Sequence, residues 1–599
     1  MNMSGNSSLL IGMGDFASYG GWSLDTQFIH QMGGPYLLAH GIGTPVSDAV
    51  TQLEFPETGL YYVHVYTYDW TGPWKPELPA DQKPGRFQIK VGEKTLEPVL
   101  GTEGTSWGWQ KGGAVLIEKK ETAISLHDLT GFEGRCGLIY FSQEKEPKLP
   151  IGGEQVRKFY REMTGKEDGE QTEPYELVVC GGGIAGMCAA LSAARRGIRT
   201  ALVQDRPVVG GNNSSEVRVW LGGETNFDPY PGIGNIVNEL EQERVGHYGN
   251  TNIGEIYEDD RKEQLLRTEE NITLYLNHVM TDVVMEAGKI KSIELYDVKQ
   301  NTYRTISGVL FVDATGEGTL GYFSGADYEV TTNGHQGMTN MWYVEDTGTY
   351  TEFPECPWAI DLKGVDIPGR TGVKDVYGNE REKSLGCWFW ESGNELDPIE
   401  KAEYARDTNF RAMYGAWDAL KHEDGSYPNH RIGFAAYIGG KRESRRLFGD
   451  VLLTKCEVSK GVKYEDGCVP STWNFDVHYP DRRFYEAFRE GDGFLTKDYH
   501  EPFDRPYWIP YRCLYSRNVP NLFMAGRDIS VSHDALGTAR VMRTGGMMGE
   551  VLGVAAQICK KYEVLPRAVY TDHLQEFLEE LRNIKKDMKK PLCSNTHPD

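Results

Sequence analysis

The chain has 599 residues, of which 39% are hydrophobic and 25% are charged, an ordinary composition for a globular protein. At about 150 residues per domain, this length predicts about four domain equivalents and a large buried core. The formal net charge of −24 repels phosphate backbones and anionic lipid surfaces, so it argues against nucleic-acid and membrane-surface partners and favours small-molecule ones.

The first residues and the cysteines indicate a reducing compartment. The opening "MNMSGNSSLLIGMGDF" lacks the cationic and apolar regions of a secretion signal. The sequence also contains no run of about 18 apolar residues, the length that a membrane-spanning helix needs. The ten cysteines are scattered without a C-x-x-C pair or a His/Cys cluster, so no metal site is expected. We therefore expect a cytoplasmic protein.

Residues 1–147 contain short stretches rich in aromatic and β-branched residues, separated by Gly, Pro and Asp turns. This pattern predicts an all-β sandwich. The stretches "PGRFQIKVG", "SWGWQKGG" and "HDLTGFEGRCGLIYF" resemble the carbohydrate-binding-like β-sandwiches attached to some bacterial sugar-processing enzymes. The resemblance covers most of this region, and its motifs are structural.

Four tryptophans of this region could stack on the apolar face of a sugar ring. Packing in the core or at a domain interface is the favoured interpretation, because aromatic side chains are buried more often than they bind ligands. The four are Trp70, Trp74, Trp107 and Trp109.

A dinucleotide-binding motif follows a hydrophilic linker predicted for 148–174, which contains one short helix around Val156–Met163. The stretch "YELVVCGGG" predicts a strand, "GIAGMCAALSAARRG" a helix and "RTALVQD" a second strand, which together form a βαβ unit. Gly181, Gly183 and Gly186 occupy the G-x-G-x-x-G positions at the strand–helix turn. Glycine there permits the sharp turn, the close approach of a pyrophosphate and tight packing of the helix.

The ribose position of this motif departs from the usual pattern. Gln204 stands where an acidic residue is expected at the end of the second strand, and Asp205 follows it. Both side chains can bond a ribose hydroxyl, so the sequence leaves open which of them does. NAD and FAD share this cradle, and the cofactor must therefore be decided from other stretches.

The stretch "RPVVGGNNSSEVRVWLGG" indicates FAD, because it resembles the second glycine pair of the glutathione-reductase-like flavoproteins. In those proteins this pair passes beside the pyrophosphate and the flavin, which implies the same role for Gly210, Gly211 and Asn212. Ser214 or Ser215 would then lie near the isoalloxazine edge. Domains that bind only NAD lack this stretch.

The stretch "NLFMAGRDISVSHDALGTARVMRTGGMMGEV" looks like the C-terminal flavin segment of the same superfamily. The likeness implies that Gly526 abuts the ribityl chain and that a helix beginning near Gly545 points its N-terminus at the flavin N1–C2=O. A positive helix end stabilises the anionic reduced flavin. Arg527 stands where many relatives carry an acid, and Asp528 follows it.

The stretch "VLFVDATGEGTLG" contains a formal second G-x-G-x-x-G at Gly316, Gly318 and Gly321. It follows "GKIKSIELYDVKQNTYRTISG", which predicts a β-hairpin, and the next residues contain no clean helix and second strand. We interpret the stretch as the return of the chain to the flavin, with Asp313 and Thr315 structural. No separate nicotinamide domain is expected.

Together with "GKRESRRLFGD", these stretches resemble the bacterial FAD-dependent oxidoreductase family over roughly 175–565. The resemblance implies an α/β fold, a Rossmann-type FAD-binding domain with an α+β substrate cap within about 215–505, preceded by the all-β sandwich. A C-terminal helix and tail would follow over 566–599. The implied cofactor is FAD, whereas the family leaves the substrate undefined.

Charged and imidazole side chains beside the inferred flavin segments are the catalytic candidates. They are His533, Arg540, Arg218 and His335. His533 falls between two flavin-lining segments, where an imidazole could take a hydroxyl proton while hydride leaves to the flavin. Pinning the loop or bonding the flavin is an equal alternative for it. Arg442 and Arg445 in "KRESRR" are expected to form internal ion pairs rather than to hold substrate.

The sequence therefore predicts an FAD-dependent oxidoreductase that oxidises a hydroxyl of a carbohydrate or glycoside to a ketone. An alternative in the same class is reduction or dehydrogenation at a C–C bond next to a carbonyl. An alternative from another class is a carbohydrate-binding or polysaccharide lyase protein with a structural flavin. The electron acceptor and the oligomeric state, a homo-oligomer included, are left open.

Overall fold

A computed structural model describes residues 7–164, 166–167, 173–244, 252–375, 377–485 and 493–586. Across these ranges no helix is both long enough and apolar enough to span a membrane. The described chain forms an N-terminal region of antiparallel sheets, a largely parallel sheet with flanking helices, and a cap of short strands around one long helix.

The N-terminal region consists of two four-stranded antiparallel sheets and one three-stranded sheet. Along Phe87–Val91 every second side chain is buried, which is the alternation of a strand with one face on a core. The two larger sheets share that core, to which Val63 and Phe141 contribute from one sheet and Phe87 and Ile89 from the other. In sheet order the strands are Ser8–Ile11, Leu138–Ser142, Gly59–Thr67 and Gly108–Ile117, then Ala49–Glu54, Glu121–Asp128, Phe87–Val91 and Lys94–Thr95, then Gly134–Cys136, Tyr36–Ala39 and Ser23–Asp25.

The four tryptophans of this region are engaged in packing. Trp70 is fully buried, and its indole N–H donates to a backbone carbonyl (3.0 Å). Trp107 and Trp74 contact the long cap helix Ala402–Asp418, the first through a hydrogen bond of 2.9 Å and the second through rings whose centroids are 4.3 Å apart. The Trp109 indole N–H donates to the backbone carbonyl of Pro150 (2.8 Å), in the loop before helix Gly153–Thr164. These contacts agree with the favoured packing interpretation.

The segments at the predicted domain borders contain helices. Gly153–Thr164 covers the short helix predicted for the linker and buries Val156 and Tyr160, whereas residues 165 and 168–172 lie outside the described residues. After the region predicted to bind the cofactor, the described chain forms two short helices, and the predicted tail from residue 587 onward lies outside the described residues. These two helices are Pro566–Thr571 and Leu574–Asn583.

A parallel sheet carries the first glycine motif. Its strand Tyr175–Cys180 is buried along almost its whole length, as expected for a strand covered on both faces. Helix Ile184–Ala194 follows, and Thr200–Val203 then pairs in parallel with the first strand, which completes the predicted βαβ unit. In order, the parallel strands are Ile272–Tyr275, Thr200–Val203, Tyr175–Cys180, Thr302–Asp313 and Leu522–Met524.

The hairpin predicted before the second glycine-rich stretch is present. Lys289–Asp297 pairs antiparallel with the first half of Thr302–Asp313 and, on its other side, with His278–Glu286. Within the fully described stretch 309–329, only the five-residue helix Thr319–Phe323 and a two-residue strand follow the glycines. This stretch therefore lacks the βαβ unit that a second dinucleotide fold needs.

Helix Met542–Tyr562 packs closely against Ile184–Ala194 through small residues. A Cβ atom on Gly549 would lie 2.2 Å from the Ala185 carbonyl oxygen, so the two helices can approach this closely only with glycine there. The remaining described α-helices before the C-terminal pair are Ile29–Met32, Asn235–Leu240, Asp259–Arg267, Thr319–Phe323, Lys455–Ser459, Arg482–Tyr485 and His533–Ala539, with the long cap helix Ala402–Asp418.

The cap surrounds helix Ala402–Asp418 with two- and three-stranded sheets. Fourteen of the helix's 17 residues are buried, so neighbouring elements enclose it on nearly all sides. The cap strands are Tyr328–Glu329, Met338–Thr339, Trp342–Asp346, Glu391–Ser392, His430–Ala435, Gly440–Lys441, Arg446–Leu447, Gly467–Ser471, Phe475–Pro480, Thr496–Glu501 and Tyr507–Pro510.

Buried ion pairs join the N-terminal region to this helix. Arg406 on the helix pairs with Asp25 (2.5 Å), and Arg135 of the N-terminal region pairs with Asp407 (2.5 Å). Both arginine side chains are fully buried. The N-terminal region and the cap therefore share a buried, charged interface, in which each charge is stabilised by its partner.

Arg406→Met is expected to lower the free energy of unfolding by about 3–5 kcal/mol, because it leaves a buried carboxylate without its partner. Denaturant unfolding followed by circular dichroism measures the change. Lys111→Met breaks an ion pair whose side chains are 70% and 64% exposed, and it should leave the unfolding midpoint unchanged. Equal midpoints for wild type and Arg406→Met would contradict the expectation.

Candidate functional site

A cavity of about 260 Å³ lies at the carboxyl ends of the parallel strands. Its wall includes Cys180 and Val203, which end two of these strands, and Ala314 and Ala525, which directly follow two others. Ligands of open α/β sheets bind at this edge. Of the residues predicted to bind the cofactor, the wall contains Gly181, Gly183, Gln204, Asp205, Gly210, Gly211, Asn212, Gly316, Gly526, Arg527 and Gly545.

The first glycine motif forms a cradle at this wall. Gly181 has a φ of +107°, and a Cβ atom on Gly186 would lie 1.8 Å from the Gly181 carbonyl oxygen, so these two glycines hold the turn together. Gly183 differs, because the atom nearest to its Cβ position is 3.9 Å away, and it borders the cavity. Helix Ile184–Ala194 begins at the next residue, so its free backbone N–H groups are available to an anion.

The two candidates for the ribose position have different surroundings. Gln204 is buried, its Oε1 accepts from the Gly182 N–H (2.8 Å) and its Nε2 donates to the Val208 carbonyl (3.0 Å). The side chain of Asp205 is 47% exposed and borders the cavity. The amide of Gln204 is thus occupied within the protein, whereas the Asp205 carboxylate is accessible to a ligand.

Asp205→Ala is therefore expected to weaken binding of the predicted cofactor FAD about tenfold, because it removes a carboxylate that would accept hydrogen bonds from the ribose hydroxyls. Titration of the apoprotein with FAD, followed by quenching of flavin fluorescence, measures the dissociation constant. Glu118 is an exposed carboxylate that does not line the cavity, so Glu118→Ala is the control and should bind FAD as the wild type does. Unchanged affinity in Asp205→Ala would exclude the carboxylate from the site.

The second glycine pair lies directly beside the first motif. Gly183 and Gly210 form a parallel backbone bridge, and a Cβ atom on Gly211 would lie 3.1 Å from the Gly183 Cα. On the opposite side, Gly545 packs close to Gly526, with 3.5 Å between its Cβ position and the Gly526 Cα. The start of helix Met542–Tyr562 thus borders the same cavity as the cradle.

Gly316 provides space for the guanidinium of Arg527. Gly316 has a φ of +71°, and a Cβ atom there would lie 2.4 Å from Arg527 Nη2. Arg527 Nη1 is buried and has no hydrogen-bond partner among the described residues, so a donor is left for an anionic group. Asp528 lies outside the wall, and burial together with the nearby Asp313 carboxylate holds its pKa well above the ordinary value.

The catalytic candidates Arg540 and His533 belong to one short helix and its end. Arg540 lines the cavity and pairs with Asp476 (3.0 Å). His533 lies outside the wall at the start of the helix, and its Nδ1 is 2.8 Å from the carboxylate of Glu443. Burial raises the pKa of Glu443, but contacts with His533, Arg446 and the Gln336 backbone together outweigh burial and hold this pKa below its ordinary value, so the carboxyl is ionised at neutral pH.

The other two catalytic candidates also lie outside the wall of the large cavity. His335 is 2% exposed, and its Nδ1 has no hydrogen-bond partner among the described residues. It lines a separate cavity of about 10 Å³, which shares Lys441 with the large one. The guanidinium of Arg218 lies 3.3 Å from the centroid of the Phe434 ring, and its Nε donates to the carbonyl of Ser215 (3.0 Å). Arg218 and the predicted flavin-edge residue Ser215 therefore brace the chain beside the cradle.

The arginines of "KRESRR" form the internal scaffold expected for that stretch. Arg442 pairs with Glu391 (3.2 Å), and Arg446 pairs with Glu443, which in turn holds His533. Arg445 donates to a backbone carbonyl of the second glycine-rich stretch (3.2 Å) and forms no ion pair with a side chain of the described residues. These contacts fix the segment that follows the wall residue Lys441.

Several parts of the wall were not predicted from the sequence, and two of them contribute polar side chains. Lys441 begins the "KRESRR" stretch, lines the cavity and pairs with Glu317, another wall residue (2.5 Å). The sequence signal that could have identified Lys441 as a site residue is its position directly before the arginines of this stretch. Four residues of the N-terminal region also border the cavity, and no sequence motif marks them: Thr26, Gln27, Ile29 and His30.

Three features together fit a dinucleotide with a pyrophosphate: the glycine cradle, the N-termini of helices Ile184–Ala194 and Met542–Tyr562, and Arg527 Nη1, which has no partner among the described residues. They place the protein in the class of dinucleotide-binding proteins. Residues 176–578, more than half of the chain, match the family model described as FAD dependent oxidoreductase. The chain belongs to this family, so it is an FAD-dependent oxidoreductase with FAD as its cofactor. The comparison with curated proteins gives no match.

Solved structures with detectable similarity include flavoproteins. The glycerol-3-phosphate dehydrogenase from Bacillus halodurans, complexed with FAD, is 18% identical over 30% of this chain and 41% of its own length, with a TM-score of 0.20. Sdh1 of Mycobacterium smegmatis in complex with UQ1 is 13% identical over 68% of this chain and 73% of its own, with a TM-score of 0.29. A geranylgeranyl bacteriochlorophyll reductase-like protein from Thermoplasma acidophilum is 10% identical over 68% and 83%, with a TM-score of 0.30. The chain thus spans less than half of the first of these relatives.

Proposed function

We propose that the protein oxidises a hydroxyl group of a carbohydrate or glycoside to a ketone. The observation that carries the proposal is the pair formed by Glu443 and His533, which begins a short helix, and the residue directly after that helix, Arg540, lines the cofactor cavity. Oxidation of an alcohol requires removal of the hydroxyl proton as the C–H hydride departs. Bound FAD supplies the hydride acceptor for this chemistry.

The hydrogen bonds of this pair support a proton-accepting role for His533. Nδ1 faces the buried carboxylate of Glu443, which also accepts the backbone N–H of Gln336 (3.0 Å) and pairs with Arg446. A carboxylate held in this way accepts the Nδ1–H and fixes the orientation of the imidazole, so Nε2 is the nitrogen left to take the substrate proton. The imidazole is 21% exposed, which leaves it accessible.

Unsatisfied polar groups next to this pair support a hydroxylated substrate. His335 Nδ1 and both polar atoms of the Gln336 carboxamide have no hydrogen-bond partner among the described residues, although both side chains are buried. They border the small cavity that also touches Glu443. Buried polar groups without partners are costly, so partners from a substrate or from ordered water would stabilise this side of the site.

The carbohydrate part of the proposal comes from the likeness of residues 1–147 to sugar-binding sandwiches. The tryptophans that first suggested sugar stacking are used in packing, so the substrate class depends on that likeness and on the polar groups near Glu443. The second candidate function is dehydrogenation at a C–C bond next to a carbonyl. Arg540 in the wall favours it, because a guanidinium binds substrate carboxylates, but Asp476 already pairs with Arg540.

An anaerobic screen for bleaching of the flavin spectrum tests the proposal. Glycosides and free sugars should reduce the flavin, and product analysis should find a new ketone. Saturated dicarboxylates and other carbonyl compounds form the second panel, and bleaching by that panel alone would replace the proposal with the C–C reaction. NADH and NADPH should reduce the flavin only slowly, since the described stretch 309–329 lacks a second dinucleotide fold.

A further inference from the structure

Part of the wall of the FAD cavity comes from the N-terminal region. Thr26, Gln27, Ile29 and His30 line it, together with the cradle and the cap segment around Gly439. The family match begins at residue 176, so these four residues lie about 150 positions before it. We call Thr26–His30 the wall segment.

Hydrogen bonds connect the wall segment to both sides of the cavity. The hydroxyl of Thr26 donates to the backbone carbonyl of Asp205 on the ribose side (3.2 Å). Gln27 Oε1 accepts the backbone N–H of Gly439 (2.7 Å), and its Nε2 donates to the carbonyl of Tyr437 (3.1 Å), both in the cap. Asp205 and Gly439 are themselves wall residues. The wall segment therefore spans the cavity from the cradle to the cap.

The wall segment is also held firmly from behind. Asp25, which precedes it, is fully buried in its ion pair with Arg406 and accepts hydrogen bonds from the Gln27 backbone and side chain (2.9 and 3.0 Å). Phe28 and Ile29 are 2% and 5% exposed and belong to an apolar core shared with the linker helix. A segment anchored in this way can present fixed atoms to a ligand, which favours preorganised binding.

His30 is the titratable group of the wall segment. Its ring packs on Phe323 with centroids 5.2 Å apart, and the charged groups facing it are Arg157, Glu317 and Arg445. Burial, assisted by Arg157, lowers the pKa of His30 to about 4. The imidazole is thus neutral at physiological pH and offers one donor and one acceptor to a bound molecule.

From the cavity lining, the two-sided hydrogen bonds and the rigid backing, we propose that the wall segment is part of the FAD-binding site and controls how slowly FAD is released. The N-terminal region then acts as a component of the cofactor site. FAD would leave only when the wall segment separates from Asp205 or from Gly439, which breaks the hydrogen bonds described above.

Hydrogen–deuterium exchange of the wild-type protein, with FAD and after its removal, tests the proposal without any substitution. Bound FAD should slow exchange in peptides covering 23–33 and leave peptides covering 118–128, on another N-terminal sheet, unchanged. Equal exchange of 23–33 with and without FAD would refute a role in binding.

Release of FAD after dilution gives an independent measurement. Gln27→Ala and His30→Ala should release FAD about tenfold faster than the wild type, since wall contacts are lost. Gln31→Ala is the matched control, because Gln31 follows the wall segment and donates to the cap carbonyl of Ile399 (3.3 Å) but does not line the cavity. The proposal would be overturned if Gln27→Ala and His30→Ala released FAD no faster than the control Gln31→Ala. If either wall variant does not fold, the hydrogen–deuterium exchange experiment on the wild type decides.

Discussion

Gly183→Val is expected to give a folded protein that does not retain FAD. Space for the new side chain exists within the protein, because the atom nearest to the Gly183 Cβ position is 3.9 Å away and the backbone φ is an ordinary −71°. This space is part of the cavity, and the valine methyl groups would fill it at the point where the backbone approaches the pyrophosphate. FAD affinity should fall at least about 100-fold, which corresponds to about 2.7 kcal/mol.

Two other glycines separate loss of cofactor from loss of fold. Gly186→Val should fail to fold properly, because its Cβ atom would lie 1.8 Å from the Gly181 carbonyl oxygen. Gly34→Val should retain FAD, since no atom lies within 4 Å of its Cβ position and it is not a wall residue. Flavin absorbance per polypeptide and circular dichroism measure the two properties. Wild-type FAD content in Gly183→Val would show that the motif does not hold the cofactor.

His533→Ala is expected to slow flavin reduction by substrate about 10²–10⁴-fold, the usual contribution of a positioned general base. FAD should remain bound, because His533 does not line the cofactor cavity. Glu443→Gln should slow the same step, since the carboxylate that fixes the tautomer and orientation of the imidazole is lost. Rapid-mixing measurement of flavin bleaching, with rates expressed per bound flavin, separates this effect from cofactor loss.

His500→Ala provides a matched control for that measurement. His500 also pairs with a carboxylate, Asp498 (2.6 Å), on a cap hairpin, but it is 33% exposed and does not line the cavity. Its loss should leave the reductive rate near that of the wild type. A reductive rate for His533→Ala within about threefold of wild type would assign proton removal to another residue, such as His335.

The glycine-rich parts of the site were predictable because their signals are local. A turn between a buried strand and a helix needs glycine at fixed positions, and Gly181, Gly183 and Gly186 take these positions in the structure. The hairpin that follows was equally predictable, because Lys289–Asp297 and Thr302–Asp313 are adjacent strands with a short turn.

The rest of the site depends on contacts between distant parts of the chain. Thr26 bonds Asp205 across 179 positions, and Gln27 bonds Gly439 across 412, and no sequence pattern encodes such pairs. The structure was also needed to choose between Gln204 and Asp205 as the ribose-binding residue. The choice depends on whether Gln204 Oε1 already accepts a hydrogen bond from the Gly182 N–H. Local patterns define elements, whereas tertiary packing decides which of their side chains face the ligand.

The distribution of the cavity wall along the chain has a consequence for biosynthesis. The wall takes residues from Thr26 to Gly545, so a nascent chain that ends before Gly545 lacks part of the FAD site. Contacts this far apart in sequence form late and slowly. We therefore expect FAD to bind only after Gly545 has been synthesised, and a shortage of flavin would leave synthesised chains as apoprotein.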